Sequence, residues 1–552
     1  MANFQRISTV LMITSGALAL AACGANDIAS PGTGGNVTIT NTTVAPPPPP
    51  PPPVATLVTP APGCPTIPDP QGLTQVAEAD GRVGLITGPT GTYRVCTLPA
   101  RLNVSTTLTR TPGLLYRLGG RVDVGTDQGP ASTNNVVTLS IEPGVVVFGG
   151  TGVSWLNINR GNRIMAVGTA TQPIVFTSRD NVLGLSTDTS IGQWGGVVLS
   201  GRAPVTDCAA TGAAPGTIAC ERQVEGALDP ALYGGASPGD NSGRISFAQI
   251  RFSGFVLSGN SELQSLTTGG VGSATVLDHI QSFNSSDDGA EFFGGNVNMR
   301  YFASIGADDD NLDTDVGVKA NFQYVLAVQR TGAGDSMIEA DSDNARENDL
   351  PRQNVNLSNF TFIQRSSTVG NRTAIRLGGG TDYTAVNGVI VSPNTTCLRI
   401  SRVQSLSTTV NAAIDELGAP VFRSVVAQCP NPAFQGTLSN GAGEVPGAAL
   451  ATGVTVQTTA ADVATVFGAG ANNNSITFAP TLASIFINGA SETAVPVFNP
   501  TMLNAFFMAT TFVGTVENAA DINFRSWTCN SVTADFGTGN SGLCTTLPAM
   551  IA

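Results

Sequence analysis

"FNSSDDGAEFFGG" (residues 283–295) and "IGADDDNLDTDVG" (residues 305–317) decide how this chain is built. Offset by 22 residues, the two stretches align: Phe283 on Ile305, Asp287 on Asp309, Asp288 on Asp310, Glu291 on Asp313 and Gly295 on Gly317. The segments ahead of them agree as well, "LDHIQSF" (277–283) lying on "MRYFASI" (299–305), and "FQYVLAV" (322–328) continues as the next turn. Short apolar-alternating runs that recur at this period, closed by Gly- and Asp-rich turns, are the pattern of a solenoid. The strand of one coil pairs in parallel with the equivalent strand of the next.

The habit extends outward in both directions. "VVTLSIEPGVVVFGG" (136–150), "SWLNINRGNRIMAVGT" (154–169) and "QPIVFTSRD" (172–180) precede the quoted stretch; "FTFIQRSS" (360–367), "TAIRLGGG" (373–380) and "TAVNGVIVSP" (384–393) follow it, with Pro and Gly at several corners. No segment carries a long amphipathic helical pattern. A β-sandwich is the alternative architecture, but the chain has few of the Asn-Gly or Asp-Gly pairs that close hairpins. "NAAIDELG" (411–418) and "TAADVATVFG" (459–468) read as short helices. Residues 431–552 read as a loop-rich cap, because the open end of a solenoid exposes unpaired strand edges.

Charged residues make up 12 % of the 552 residues, against roughly 25 % in an average soluble domain, and the net charge is −13. Lys319 is the single lysine. An acidic chain with no basic cluster is a poor candidate for nucleic acid, and a divalent cation or a basic partner suits it better.

The first residues set the expected location. "MANFQR" carries one Arg, Ile7 to Ala22 is apolar but too short to span a bilayer, and the run ends in "LAAC" at Cys23. This end resembles the lipobox of bacterial lipoproteins, which implies removal of residues 1–22 and acylation of Cys23. Several acyl chains on one residue make a stable anchor in a lipid bilayer. Gly24 in place of Asp implies the outer membrane, at the cell surface or beyond it. Residues 23–63 then form a Gly/Thr/Pro-rich tether, in which Pro46 to Pro53 would make a polyproline rod of roughly 25 Å.

With Cys23 set aside, eight cysteines remain, an even number in a chain read as exported. Many connectivities are open to eight cysteines. Pairing in chain order is the simplest, because each pair is close along the sequence: Cys64 with Cys96, Cys208 with Cys220, Cys397 with Cys429 and Cys529 with Cys544. No Cys-x-x-Cys spacing points to zinc or redox chemistry.

"WGGVVLSGRAPV" (194–205), "GGVGSATVLDHIQSFNSSDDGAEFFGG" (269–295), "ADDDNLDTD" (307–315) and "TTFVGTV…SWTC" (510–529) together resemble a family of right-handed parallel β-helix lipoproteins of Gram-negative bacteria, known from alphaproteobacteria and Bacteroidetes. Most of that family carries no assigned reaction, so the resemblance implies a fold and a location but no catalytic residues. The expected fold is therefore all-β: a right-handed parallel β-helix over residues 64–430, followed by the cap.

Asp287, Asp288, Glu291, Asp309, Asp310 and Asp313 are the candidate metal ligands. In a parallel solenoid, equivalent residues of neighbouring coils sit about 4.8 Å apart. Two unit charges at that spacing repel by roughly 0.9 kcal/mol in water and about 3.5 kcal/mol at an effective dielectric near 20. Ca²⁺, which takes six to eight oxygens, would relieve this and is the expected cofactor. Asp335, Glu339, Asp341 and Asp343 offer to carry the edge onward. Two other readings stay open: a solvated acidic edge whose side chains cap their own turns, and a catalytic carboxylate pair of the kind used in glycoside hydrolysis. His279 lies inside a strand pattern and reads as a packed residue, while Trp194, Phe292 and Phe293 read as core rather than as sugar platforms. No nucleophile elbow, zinc-protease or P-loop motif is present. The expected function is a non-enzymatic binding or accessory protein that presents an acidic, calcium-loaded face to a glycan or a surface protein. The alternatives are a polysaccharide-degrading lyase or hydrolase, and an accessory lipoprotein released by type II secretion that modulates a surface enzyme or nutrient uptake.

Overall fold

The computed structural model describes residues 57–77, 81–131, 135–258, 261–342, 346–365, 372–445, 447–470 and 472–548. The expected signal peptide, Cys23 and most of the tether fall outside these residues, as does Asp343.

The aligned phrases do stack. Phe283 pairs with Ile305, and Leu277 with Met299, in a parallel ladder; Glu291 pairs with Asp313 in a second one. Met299 and Ile305 then pair with Phe322 and Val328. This pattern builds a 25-stranded sheet in which the pairs are parallel, apart from the hairpin Leu85–Gly88/Gly91–Thr97. The fold is an all-β parallel β-helix.

Each coil in the middle of the solenoid has three faces. One stack runs through Trp155–Ile158, Val197–Ser200, Leu266–Val271, the first part of Ala290–Ile305, Asp313–Asp315, Ile338–Ala340, Thr373–Leu377 and Thr396–Ile400. The other two stacks share single long strands, Gly243–Arg251, Val276–Phe283, the second part of Ala290–Ile305, Lys319–Val328, Asn354–Ile363, Asp382–Val391 and Val421–Gln428, each bent in the middle. Every bend is one residue with positive φ: Phe247, His279, Tyr301, Tyr324, Asn359, Asn387 and Ser424. The ladders skip these residues, so the bends form a column. Left-handed backbone is uncommon for non-glycine residues. At four of the corners the aromatic side chains stack, Phe247 on His279 (4.2 Å between ring centroids), His279 on Tyr301 (4.4 Å) and Tyr301 on Tyr324 (4.8 Å), while Asn359 and Asn387 hydrogen-bond the backbone of residues 512 and 498. His279, expected as a packed strand residue, is a packed corner residue, with Nδ1 2.8 Å from Asp278.

The repeated glycines of the quoted phrases also have a cause. Gly295 and Gly317 have φ of 84° and 79°, and a Cβ on either would lie 2.3 Å from a backbone oxygen, of Val271 and Pro351 respectively. Inward side chains such as Ile280, Phe302, Phe322, Val325, Leu357 and Phe360 fill the core completely. Trp194 and Phe292 are buried there too, and Trp194 Nε1 donates to Arg251 O (2.8 Å).

Residues 431–548 divide into two parts. Helix Ala460–Phe467, with a Thr459/Asp462 capping box, sets Phe467 against Phe422 and Phe434 (5.4 Å each) and closes the last coil. The other expected helix is a 3₁₀ turn, Ala412–Ile414. From about residue 478 the chain runs back along the flank as a strap over the corner column. Corner and strand amides grip its backbone in both directions: Asn387 on Phe498, Gln323 on Met508 and Gln281 on Cys529, each donating and accepting at 2.7–3.1 Å. Trp527 meets Phe247 and His279 edge-on, at 6.4 and 5.6 Å between centroids. The loop-rich C-terminus therefore seals a side as well as an end. The cysteines pair in chain order, Cys64–Cys96, Cys208–Cys220, Cys397–Cys429 and Cys529–Cys544. The last bridge lies in the strap.

Candidate functional site

The first face described above carries one outward column in strict register: Thr267, Glu291, Asp313, Glu339, Arg376 and Arg399. Asp315 stands beside it, level with Phe293. The turns leading into these strands add Asp287 and Asp288 on one coil, Asp309 and Asp310 on the next and Asp335 on the third. The turn aspartates are locked by the coil repeat itself: Asp288 Oδ1 accepts from Asp310 N (2.9 Å), and Asp310 Oδ1 accepts from Ser336 N. Gln264 Nε2 holds Asp287 (3.0 Å).

All six candidate ligands lie in this one patch. Oxygens of Asp288, Glu291 and Asp313 come within 4.8 Å of one another, as do those of Asp287, Asp288 and Asp309, and those of Asp309, Asp310 and Asp335. These are spacings at which carboxylates could hold a metal ion. The patch is not a solvated edge. Asp288, Asp310 and Glu291 are only 5 %, 4 % and 9 % exposed, and among the described residues none of the six is ion-paired. Arg300, the one basic residue inside the quoted region, turns away and stacks on Phe506 of the strap (4.0 Å).

Burial, and then the crowding of like charges, raises the proton affinity of the whole group. Asp288, Glu291, Asp310 and Asp313 are held well above the ordinary carboxylate range. Asp287 is pushed up to about 7 and Asp309, the exposed member, to about 6. Burial disfavours the charged form of each, and neighbouring carboxylates disfavour it further. Glu262 and Glu225, from the chain between strands Val197–Ser200 and Leu266–Val271, add to the charge around Asp287.

The basic end of the face escaped the sequence reading. Arg376 Nη1 pairs with Glu339 (2.6 Å), and Arg399, on the next coil, is 1 % exposed with Nε and Nη1 lacking a hydrogen-bond partner. The signal was present in "TAIRL" (373–377) and "TCLRI" (396–400), which repeat an Arg at one strand position. Only the register shows that this position continues the carboxylate column.

The family described as a pectate-lyase-like beta helix domain matches residues 123–479, well over half of the chain. The chain belongs to this family. The match spans the strands of the acidic face from Trp155–Ile158 onward, so the face is part of the pectate-lyase-like β-helix itself. No curated protein and no solved structure matches the chain. Membership gives the pectate-lyase-like domain its architecture, while its chemistry has to be argued from the face.

Proposed function

We propose that this is an envelope lipoprotein whose acidic face, loaded with Ca²⁺, binds an acidic glycan. The observation that carries the reading is the Asp288–Glu291–Asp313 group, two buried carboxylates and one half-buried, none of them ion-paired among the described residues, whose oxygens approach within 4.8 Å. A buried charge without a partner costs several kcal/mol. Protonation or a divalent cation can remove that cost, and only the cation leaves the group functional at neutral pH. Ca²⁺ held there would supply coordination to sugar carboxylates and hydroxyls, and Arg376, one coil beyond Glu339, would offer a counter-charge to the next uronate along the face.

The test uses the purified chain and polygalacturonate as the probe. Binding in 2 mM Ca²⁺ that is lost in EDTA and lost again in Glu291→Gln supports the reading; binding unaffected by either removes it. A second reading is a polysaccharide-degrading enzyme. It is favoured by Asp309, exposed and titrating at about 6, which would serve as a proton donor near neutral pH. Release of new chain ends from the same probe selects the enzyme, and binding without cleavage selects the binding protein.

The anchor is tested separately. Cys23→Ser should release the protein from the membrane fraction and abolish labelling by palmitate, whereas a wild type that takes up no palmitate ends the lipoprotein reading. A released but otherwise acylated wild type would point to export by type II secretion.

A further inference from the structure

Away from the acidic face, three charged side chains meet in almost complete burial. Arg352, Asp382 and Glu416 have side chains 2 %, 4 % and 5 % exposed. Arg352 Nε lies 3.3 Å from Asp382 Oδ1, and its Nη2 contacts Glu416. Two carboxylates on one guanidinium leave a net negative charge in a place that water does not reach.

The three belong to different parts of the chain. Asp382 opens a solenoid strand, Asp382–Val391, and Arg352 lies in the turn just before another, Asn354–Ile363. Glu416 ends an irregular segment, 402–418, which leaves the acidic face after strand Thr396–Ile400 and returns at Val421–Gln428. That segment holds to the solenoid largely through polar contacts around the triad. Asp382 Oδ2 accepts from Leu417 N (3.3 Å), Arg352 Nη1 donates to Glu347 O (2.8 Å), and Arg402 pairs with Glu347. Gly380 N donates to Ser405 Oγ (3.0 Å), and Lys319 reaches Asp415 (3.3 Å). Of its apolar side chains, Val403, Val410 and Leu417 are 59 %, 66 % and 62 % exposed and add little to the attachment, while Leu406 packs against the main core.

We propose that Arg352, Asp382 and Glu416 form a pH-operated latch on segment 402–418. With one proton on the carboxyl pair, Asp382 and Glu416 share a hydrogen bond and the single remaining negative charge is matched by Arg352. Loss of the proton leaves two buried anions facing one cation, and the segment loosens. The proton affinity agrees: Asp382 is pushed up to about 7, by burial first, with Arg352 opposing and Glu416 adding to the rise. Glu347 and Arg402 face the same junction but compensate each other. Lys319 and Asp415 do likewise.

The sign follows from linkage. An acid with a raised folded-state pKa binds more protons when the segment is docked, so docking weakens as pH rises from about 4 to about 7 and is weakest above that. Between pH 5.5 and 8.5 the opening constant should rise by roughly thirty-fold. Hydrogen exchange of the full chain, with times scaled for the intrinsic effect of pH, reads it directly. Peptides covering 402–418 should lose protection by about that factor at pH 8.5. Peptides covering Asn354–Ile363 should not. Asp382→Asn and Glu416→Gln each remove one charge while keeping a hydrogen-bonding group, and in either variant the segment should stay equally protected at both pH values. Equal protection at both pH values in the wild type, or an undiminished pH effect in a folded variant, overturns the latch.

Discussion

Trp527→Ala should destabilise the protein by about 3–5 kcal/mol, the range for emptying a buried aromatic site. Trp527 is 1 % exposed and packs edge-on against Phe247 and His279 and obliquely against Phe524 (5.9 Å). Its backbone is gripped by Gln249, and the neighbouring Cys529 by Gln281. Removing the indole therefore empties the contact that holds the strap on the aromatic corner column. The loss should appear first as local opening. Limited proteolysis is expected to cut between residues 498 and 548 while the solenoid strands stay protected, and urea unfolding should begin at lower denaturant. Trp527→Phe, which keeps an aromatic edge, should recover more than half of the loss. An alanine variant with the wild-type denaturation curve and no new cleavage would show that the amide contacts alone secure the strap.

The double replacement Asp288→Asn, Asp310→Asn should change stability in opposite directions with and without calcium. Each aspartate accepts a backbone N–H from the coil above, an interaction the Asn carbonyl can keep. In EDTA at pH 7.5 the variant is expected to be more stable than wild type by ~2 kcal/mol, the order of an uncompensated buried charge relieved. In Ca²⁺ at a hundred times the dissociation constant, wild type gains about 2.7 kcal/mol by mass action and the variant does not. The metal-free wild type should also lose stability as pH rises from about 4, the unfolded carboxylate value, through about 6 and 7, where Asp309 and Asp287 titrate. The folded state holds the extra protons, so the slope is negative. Thermal melts across that pH range, with and without Ca²⁺, measure both effects. A wild-type melt unmoved by Ca²⁺ at matched ionic strength would exclude the cation, and a variant less stable than wild type in EDTA would show that the aspartates are satisfied as they stand.

The acidic face shows what a repeat can and cannot disclose. Offsetting residues 283–295 by 22 gives the register of Phe283 on Ile305 and Glu291 on Asp313, because a parallel ladder admits one register once the glycines and apolar positions agree. The same offset places six carboxylates in one patch. It does not tell how deep they lie. Asp288 is buried where the next turn stacks directly over it, and Glu225 and Glu262, from a stretch outside the repeat, add their charge beside its neighbour Asp287, which the local sequence does not disclose.

What the sequence by itself determined is thus what has a short period or a short span: the parallel coil, its phase and the short helix at Ala460–Phe467, with chain-order disulfides as the simplest of many pairings, which the structure then settled. What only the tertiary structure decided is everything that joins distant segments through irregular backbone. The strap binds Gln281 to Cys529 across 248 residues, and the latch sets Arg352 against Glu416, while Arg376 and Arg399 extend the column of Glu291 and Asp313. Non-repeating contacts of this kind leave no periodic trace, because one polar side chain meeting one stretch of backbone requires no pattern in either.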